Sequence, residues 1–141
     1  MNPLDERALT PVPPRLVAHL MERERALHFP PSGTSRADFE AGVAEGYWEV
    51  GASGGRFDTE VIWNVVRRRA AGDPSAFGDL GADPPWETHE EECRLLAPRT
   101  YLLTYLLVQG ERRTRRVSIW RGAGADWVAA YHQGTPVTGR W

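Results

Sequence analysis

Thr100-Tyr-Leu-Leu-Thr-Tyr-Leu-Leu-Val108, Arg113-Thr-Arg-Arg-Val-Ser-Ile-Trp120 and Asp126-Trp-Val-Ala-Ala-Tyr-His-Gln133 follow one another in the last third of the chain. Their reading decides the fold. Each is rich in β-branched and aromatic residues, and the links Gln109-Gly110-Glu111 and Arg121-Gly-Ala-Gly-Ala125 are short and carry glycine, as hairpin turns do. Three consecutive antiparallel strands are predicted.

Outward from this ribbon, the preceding segment Trp86 to Leu96 reads as a fourth strand whose acidic centre, Glu90-Glu-Glu92, belongs at a sheet edge or in solvent. Ala71 to Pro85, with three glycines, three prolines and three aspartates, reads as a long loop. Before it, Asp58 caps a helix whose Val61, Ile62, Val65 and Val66 form an apolar stripe ending in Arg67-Arg68-Arg69, cations that suit the carboxyl end of the helix dipole. Tyr47-Trp-Glu-Val-Gly51 has strand character, and Ala52-Ser-Gly-Gly55 is a turn.

Near the start, Leu16, Val17, Leu20 and Met21 fall at helical spacing with Glu22, Arg23 and Arg25 opposite, giving a helix from Arg15 to about Leu27 that Phe29-Pro30-Pro31-Ser32-Gly33 ends. Ser35 and Asp38 make a capping box for a short second helix that holds Phe39 and Val43 and closes at Gly46. Residues 1–14, with four prolines, read as an irregular arm, 15–137 as one domain and 138–141 as a tail. Helices before a run of antiparallel strands predict an α+β domain: a strongly curved, mostly antiparallel sheet wrapped around three amino-terminal helices.

At 141 residues the chain buries a core without staples. The single cysteine, Cys93, forms no internal disulfide, in keeping with a cytoplasmic setting, and no apolar run spans a bilayer. All 17 basic residues are arginine, which excludes Schiff-base chemistry and lysine-dependent phosphate loops. A net charge of −2 gives no global attraction to nucleic acid. Tyr101 to Val108 is apolar at nearly every position, so both faces of that strand need cover: helices on one side and, most economically, a second copy of the sheet on the other, giving a homodimer.

The string Tyr47-Trp-Glu-Val-Gly-Ala-Ser-Gly54, the helix after it, Tyr101-Leu-Leu-Thr-Tyr105, Arg115-Arg-Val-Ser-Ile-Trp120 and the ending Trp127-Val-Ala-Ala-Tyr-His-Gln-Gly-Thr-Pro136 together resemble the nuclear transport factor 2-like superfamily. The likeness runs from Leu16 to Val137 and is nearest to the SnoaL-like bacterial branch of stand-alone domains with no assigned function. It implies a cone-shaped sheet with a pocket between sheet and helices, usually in a dimer. Relatives include ketosteroid isomerases, polyketide cyclases, dehydratases and non-enzymatic association domains, so the fold does not choose a function. No Tyr-plus-Asp oxyanion pair of the isomerase kind is present, and no catalytic residue is carried over.

Six candidates follow from the residues themselves. Glu49, between Trp48 and Val50, is a general base if it points into the cone and a surface ion-pair partner if it does not. His132 is its titratable partner, or a histidine that merely anchors the strand end. With a two-residue first turn and a four-residue second, Tyr105, Ser118, Trp120 and Trp127 share one face while Ile119, Val128 and His132 share the other. A one-residue change in the second link brings His132 to Ser118 and Trp120. Trp48, Trp63, Trp120 and Trp127 line a ligand pocket or fill the core. Arg112, Arg113, Arg115 and Arg116 read as a solvated hairpin end or dimer rim. His89, Glu91 and Cys93 share a strand face, but no second cluster completes a metal set, so neither metal nor cofactor is expected. Ser53 lacks the strand-elbow-helix setting of a hydrolase nucleophile.

The leading expectation is therefore a small-molecule-binding protein lined by Trp48, Glu49, Trp63, Tyr105, Ser118, Trp120 and His132. The alternatives are an acid/base isomerase, cyclase or dehydratase using Glu49 and His132, and an association module.

Overall fold

The computed structural model describes residues 12–81 and 83–139. Most of the expected arm and the last two residues of the expected tail thus lie outside the described residues. Helix α1 (Pro14–His28) opens with a proline at its first turn, where the missing N–H costs nothing, and α2 (Arg36–Ala41) carries the Ser35–Asp38 capping box. Strand β1 (Val43–Val50) follows directly, and the two-residue β2 (Arg56–Phe57) folds back on it. The second helix stops at Ala41, and Gly46 lies inside β1 at a φ of +77°. Its left-handed backbone accommodates the irregular register between β1 and its neighbour.

Helix α3 (Thr59–Ala70) begins at Asp58, whose side chain accepts from Val61 N–H, and ends in its three arginines. The segment read as a loop contains a 3-10 turn (Pro74–Leu80) that puts Phe77 against Phe29 and beneath the Arg69 guanidinium. Strands β3 (Glu87–Ala97), β4 (Thr100–Gln109), β5 (Arg112–Ala123) and β6 (Asp126–Pro136) complete one sheet, in the order β2-β1-β6-β5-β4-β3. Every pairing is antiparallel except β1 with β6. Acidic β3 is an edge strand, bulged at Glu90 and Glu91.

The second link is shorter than its glycines suggest: β5 continues through Ala123 and only Gly124-Ala125 turns, with Gly124 at a φ of +60°. Shortening the turn by two residues leaves the alternation of faces unchanged, and a one-residue bulge in β6 then reverses it. Trp120 faces Ala129, but Ile119 faces Tyr131, so Ala130 is the extra residue. His132 consequently pairs with Ser118 and lies on the face of Tyr105, Ser118, Trp120 and Trp127, not on that of Ile119 and Val128.

The concave face of the sheet and the helices enclose the core of Leu20, Phe39, Val43, Tyr47, Ile62, Val66, Leu103, Leu107, Trp120 and Ala129. This is an α+β cone. Among the described residues no helix is long and apolar enough to cross a membrane.

Candidate functional site

The inward face of β5 reads Arg112, Thr114, Arg116, Ser118, Trp120, a polar ladder in a position where a core strand ordinarily carries aliphatics. Its lower half meets Glu24. That residue lies between Leu20 and Leu27 on the apolar stripe of α1 and is fully buried. Oε1 of Glu24 accepts from the Tyr105 hydroxyl at 2.8 Å and the Ser118 hydroxyl at 2.6 Å, and it lies 3.0 Å from His132 Nδ1. Oε2 accepts from the Trp120 indole N–H at 2.9 Å.

Burial raises the Glu24 pKa, but the hydrogen bond and field of His132, the field of His28 and the Ser118 hydrogen bond outweigh it and hold the group at about 2. Tyr105 is pushed well up by burial and by Glu24, and stays a phenol donor. His132 Nδ1 is 2.6 Å from Ser118 Oγ, and its Nε2 is 3.3 Å from a terminal nitrogen of Arg116. Since Arg116 can only donate, this geometry assigns the ring proton to Nδ1 and leaves Nε2 as acceptor. Among the described residues no buried side-chain nitrogen or oxygen lacks a partner. The cluster is a closed polar core.

Above it opens a cavity of about 260 Å³. Leu27 and Phe29 at the end of α1, Ile62 and Val65 of α3, Phe57 of β2 and Phe77 supply apolar walls. His28, Glu49, Arg69, Gln109, Arg112 and Arg116 supply polar groups. Its size lies just below the usual range of small-molecule pockets, and its mixed lining matches theirs. Glu49 accepts from the Tyr47 hydroxyl at 2.6 Å. Burial and Glu49 push the Tyr47 pKa well up, so the phenol keeps donating.

His28 connects cavity and core, its ring 5.1 Å from those of both His132 and Trp86. Burial, His132 and Arg116 hold His28 well below the ordinary imidazole pKa, so it is a neutral lining group at pH 7.

Ligand atoms of Glu24, His28 and His132 lie within 4.8 Å of one another, which is metal-site spacing. A cation does not fit: three donors already occupy Glu24 Oε1, and the Arg116 guanidinium stands beside His132 Nε2.

Of the seven residues expected at the site, the structure brings Tyr105, Ser118, Trp120 and His132 together around Glu24 and places Glu49 on the cavity wall. Trp48 and Trp63 go elsewhere. Trp48 stacks on Tyr131 at 4.4 Å on the convex face, under the Arg56 guanidinium, and Trp63 stacks on Phe39 at 5.6 Å. Strand alternation splits the arginine group of β5, turning Arg112 and Arg116 inward while Arg115 pairs outside with Glu90 at 2.9 Å. Glu24, His28 and Arg69 were not singled out. The available signal was a glutamate at a stripe position, four after Leu20 and three before Leu27, where only a satisfied charge can sit.

A mixed sheet curved around three helices, with its cavity between sheet and α3, defines the cone-shaped class of α+β domains. No family model matches the chain and no curated protein is significantly similar to it. Solved structures are. The chain is similar to an NTF2-like protein from Cytophaga hutchinsonii, with a TM-score of 0.61 and 9% identity, over 89% of this chain and 100% of that one. It is also similar to an NTF2-like protein of unknown function in nutrient uptake from Rhodospirillum rubrum, with a TM-score of 0.60 and 16% identity over 86% and 98% of the two chains. A protein of unknown function of the DUF3225 family from Pectobacterium atrosepticum matches with a TM-score of 0.60 and 14% identity, over 87% and 88%. The chain has the nuclear transport factor 2-like fold.

Proposed function

We propose that this protein binds a small, partly apolar molecule in the cavity at the open end of its cone. One observation carries the reading: a concave space of about 260 Å³ in which aliphatic and aromatic walls converge on a few polar groups. The polar core beneath it acts as a rigid floor, because Glu24 locks α1 to β4, β5 and β6 at once.

An acid/base enzyme using Glu49 and His132 is the weaker reading. Glu49 lines the cavity, but both ring nitrogens of His132 are engaged by protein groups and the histidine on the cavity wall is His28. Homodimerisation through the convex sheet face belongs to the same proposal, since Val117, Ile119, Val128 and Tyr131 lie there only half-buried.

Titration of isotope-labelled protein with 1-hexanol and with hexanoate tests the cavity. Saturable shifts confined to Leu27, Val65, Phe77 and their neighbours, lost in a Val65→Trp variant that fills the space, are expected. Shifts scattered over the surface, or unchanged by Val65→Trp, refute it.

A further inference from the structure

The charges around the cavity do not balance. Three guanidinium groups line it: Arg69 from α3, and Arg112 and Arg116 from β5. Glu49 is the one carboxylate among the described residues that does so. Within the described residues none of these arginines makes an ion pair, although seven ion pairs involving arginine or histidine occur elsewhere on the surface, that of Arg115, next to Arg116, among them.

The bonds they do make go to neutral acceptors. Arg116 donates Nε–H to Thr114 Oγ1 at 2.9 Å and reaches His132 Nε2 at 3.3 Å. Arg69 donates to the carbonyls of Ala76 at 3.0 Å and His28 at 3.2 Å and lies 4.6 Å over the Phe77 ring. Burial lowers the pKa of both groups and the proximity of Arg112 lowers that of Arg116 further, while the fields of Glu49 on both and of Glu24 on Arg116 offset only part of this. A guanidinium withdrawn from water ordinarily finds a carboxylate, because the cost of desolvation is recovered only by opposite charge.

Space is also reserved for the Arg116 head. A side chain on Gly134 would come within 2.7 Å of it, so only glycine lets the guanidinium lie against β6. Arg112 and Arg116 stand four residues apart on the same face of one strand, so both fork toward the same region of the cavity.

We propose that the ligand is a small organic carboxylate whose anionic end is held between Arg112 and Arg116 and whose short apolar body lies against Leu27, Val65 and Phe77. This rests on the cavity being the ligand site, and adds the ligand's charge. Planar, forked donors match a carboxylate in two-point contact. The apolar walls and the modest volume select a compact monoanion over a nucleotide or a sugar phosphate.

Calorimetric titration of the full chain at pH 7.5 and low salt, with hexanoate, the uncharged isostere hexanamide and inorganic phosphate, tests it. Hexanoate should bind at least about tenfold more tightly than hexanamide, and added NaCl should weaken it. Arg112→Gln, at the exposed mouth and so harmless to folding, should cost hexanoate about tenfold and hexanamide nothing. Equal affinity for acid and amide, indifference to Arg112→Gln, or tighter binding of phosphate than of hexanoate overturns the carboxylate while leaving the cavity as a ligand site. If neither hexanoate nor hexanamide binds, the cavity reading falls as well.

Discussion

Ser118 Oγ donates to Glu24 Oε1 at 2.6 Å across 94 residues of chain, at a point where neither atom meets water. A buried carboxylate is tolerable only if its acceptor sites are filled, and here the hydroxyls of Tyr105 and Ser118, the Trp120 indole and His132 fill them. Removing the acceptor orphans all of these donors together. Glu24→Ala is expected to cost about 3 to 5 kcal/mol, and Glu24→Gln, which keeps one oxygen but turns an NH₂ toward the indole or the hydroxyls, about 1 to 3 kcal/mol. Urea unfolding followed by tryptophan fluorescence measures both. A loss under about 1 kcal/mol for Glu24→Ala would show that the network contributes little to stability.

Stability should fall in acid in two stages. His28 is held well below 6.5 in the folded protein, so the unfolded chain binds the extra proton first; its contribution is complete above pH 6.5 and is lost as pH drops below that value. Glu24 is held at about 2 against an ordinary 4.5, so its contribution is complete above pH 4.5 and is lost as pH falls toward 2. The second stage amounts to about 3 kcal/mol for Glu24 alone. Asp38 and Asp73, exposed but lowered by hydrogen bonds within their caps, act in the same direction. Unfolding midpoints at pH 7.5, 5.5 and 3.5 should show both declines, and His28→Gln should flatten the first while sparing the second. A wild-type midpoint independent of pH between 7.5 and 5.5 would contradict the neutral, half-buried His28.

What the sequence disclosed and what it withheld divide along one line. Periodicity and caps depend on neighbours in sequence, so the four long strands, Asp58 at the start of α3 and the Ser35–Asp38 box were legible. Facing depends on register, and register here turns on one inserted residue, Ala130, in a strand that pairs with β1 on one side and β5 on the other. Nothing local marks that bulge, so the face of His132 stayed open until the pairing was seen. The polar core escaped for a related reason: a glutamate on a helix of mixed charge reads as solvated until Tyr105, Ser118 and Trp120 are found beneath it. The cavity arginines were hidden by their neighbours, since Arg112-Arg-Thr-Arg-Arg116 separates into inward and outward pairs only once the residues are extended.

Gly134 offers a probe of Arg116 that leaves the guanidinium in the protein. A methyl group there would stand 2.7 Å from one terminal nitrogen and 2.8 Å from Cζ, so the flexible side chain must swing aside while the backbone of β6 holds. Gly134→Ala is expected to cost about 1 to 2 kcal/mol of stability. Its effect on hexanoate should be larger in proportion, an affinity loss of about tenfold, because charge-assisted contacts depend on the direction of the fork. Parallel calorimetry and thermal unfolding make the comparison. Unaltered hexanoate affinity in a folded Gly134→Ala protein would show that the position of the Arg116 head does not matter to binding.

The convex face of the sheet supports the last prediction. Ile119 and Tyr131 are paired across β5 and β6, Val128 lies opposite Arg121, and Trp48 stacks on Tyr131, giving an apolar centre with Arg113, Arg115 and Arg121 nearby. A second copy related by a two-fold axis would cover that centre and leave the arginines at the rim, an arrangement in which each surface is its own complement. Light scattering at micromolar concentration should give twice the chain mass of 15.8 kDa. Ile119→Arg places an unpaired charge at the centre of the contact and should return the mass to that of one chain without lowering hexanoate affinity, since Ile119 faces away from the cavity. A monomer mass for the unaltered protein would mean that half-exposed aliphatics on this face are tolerated in water.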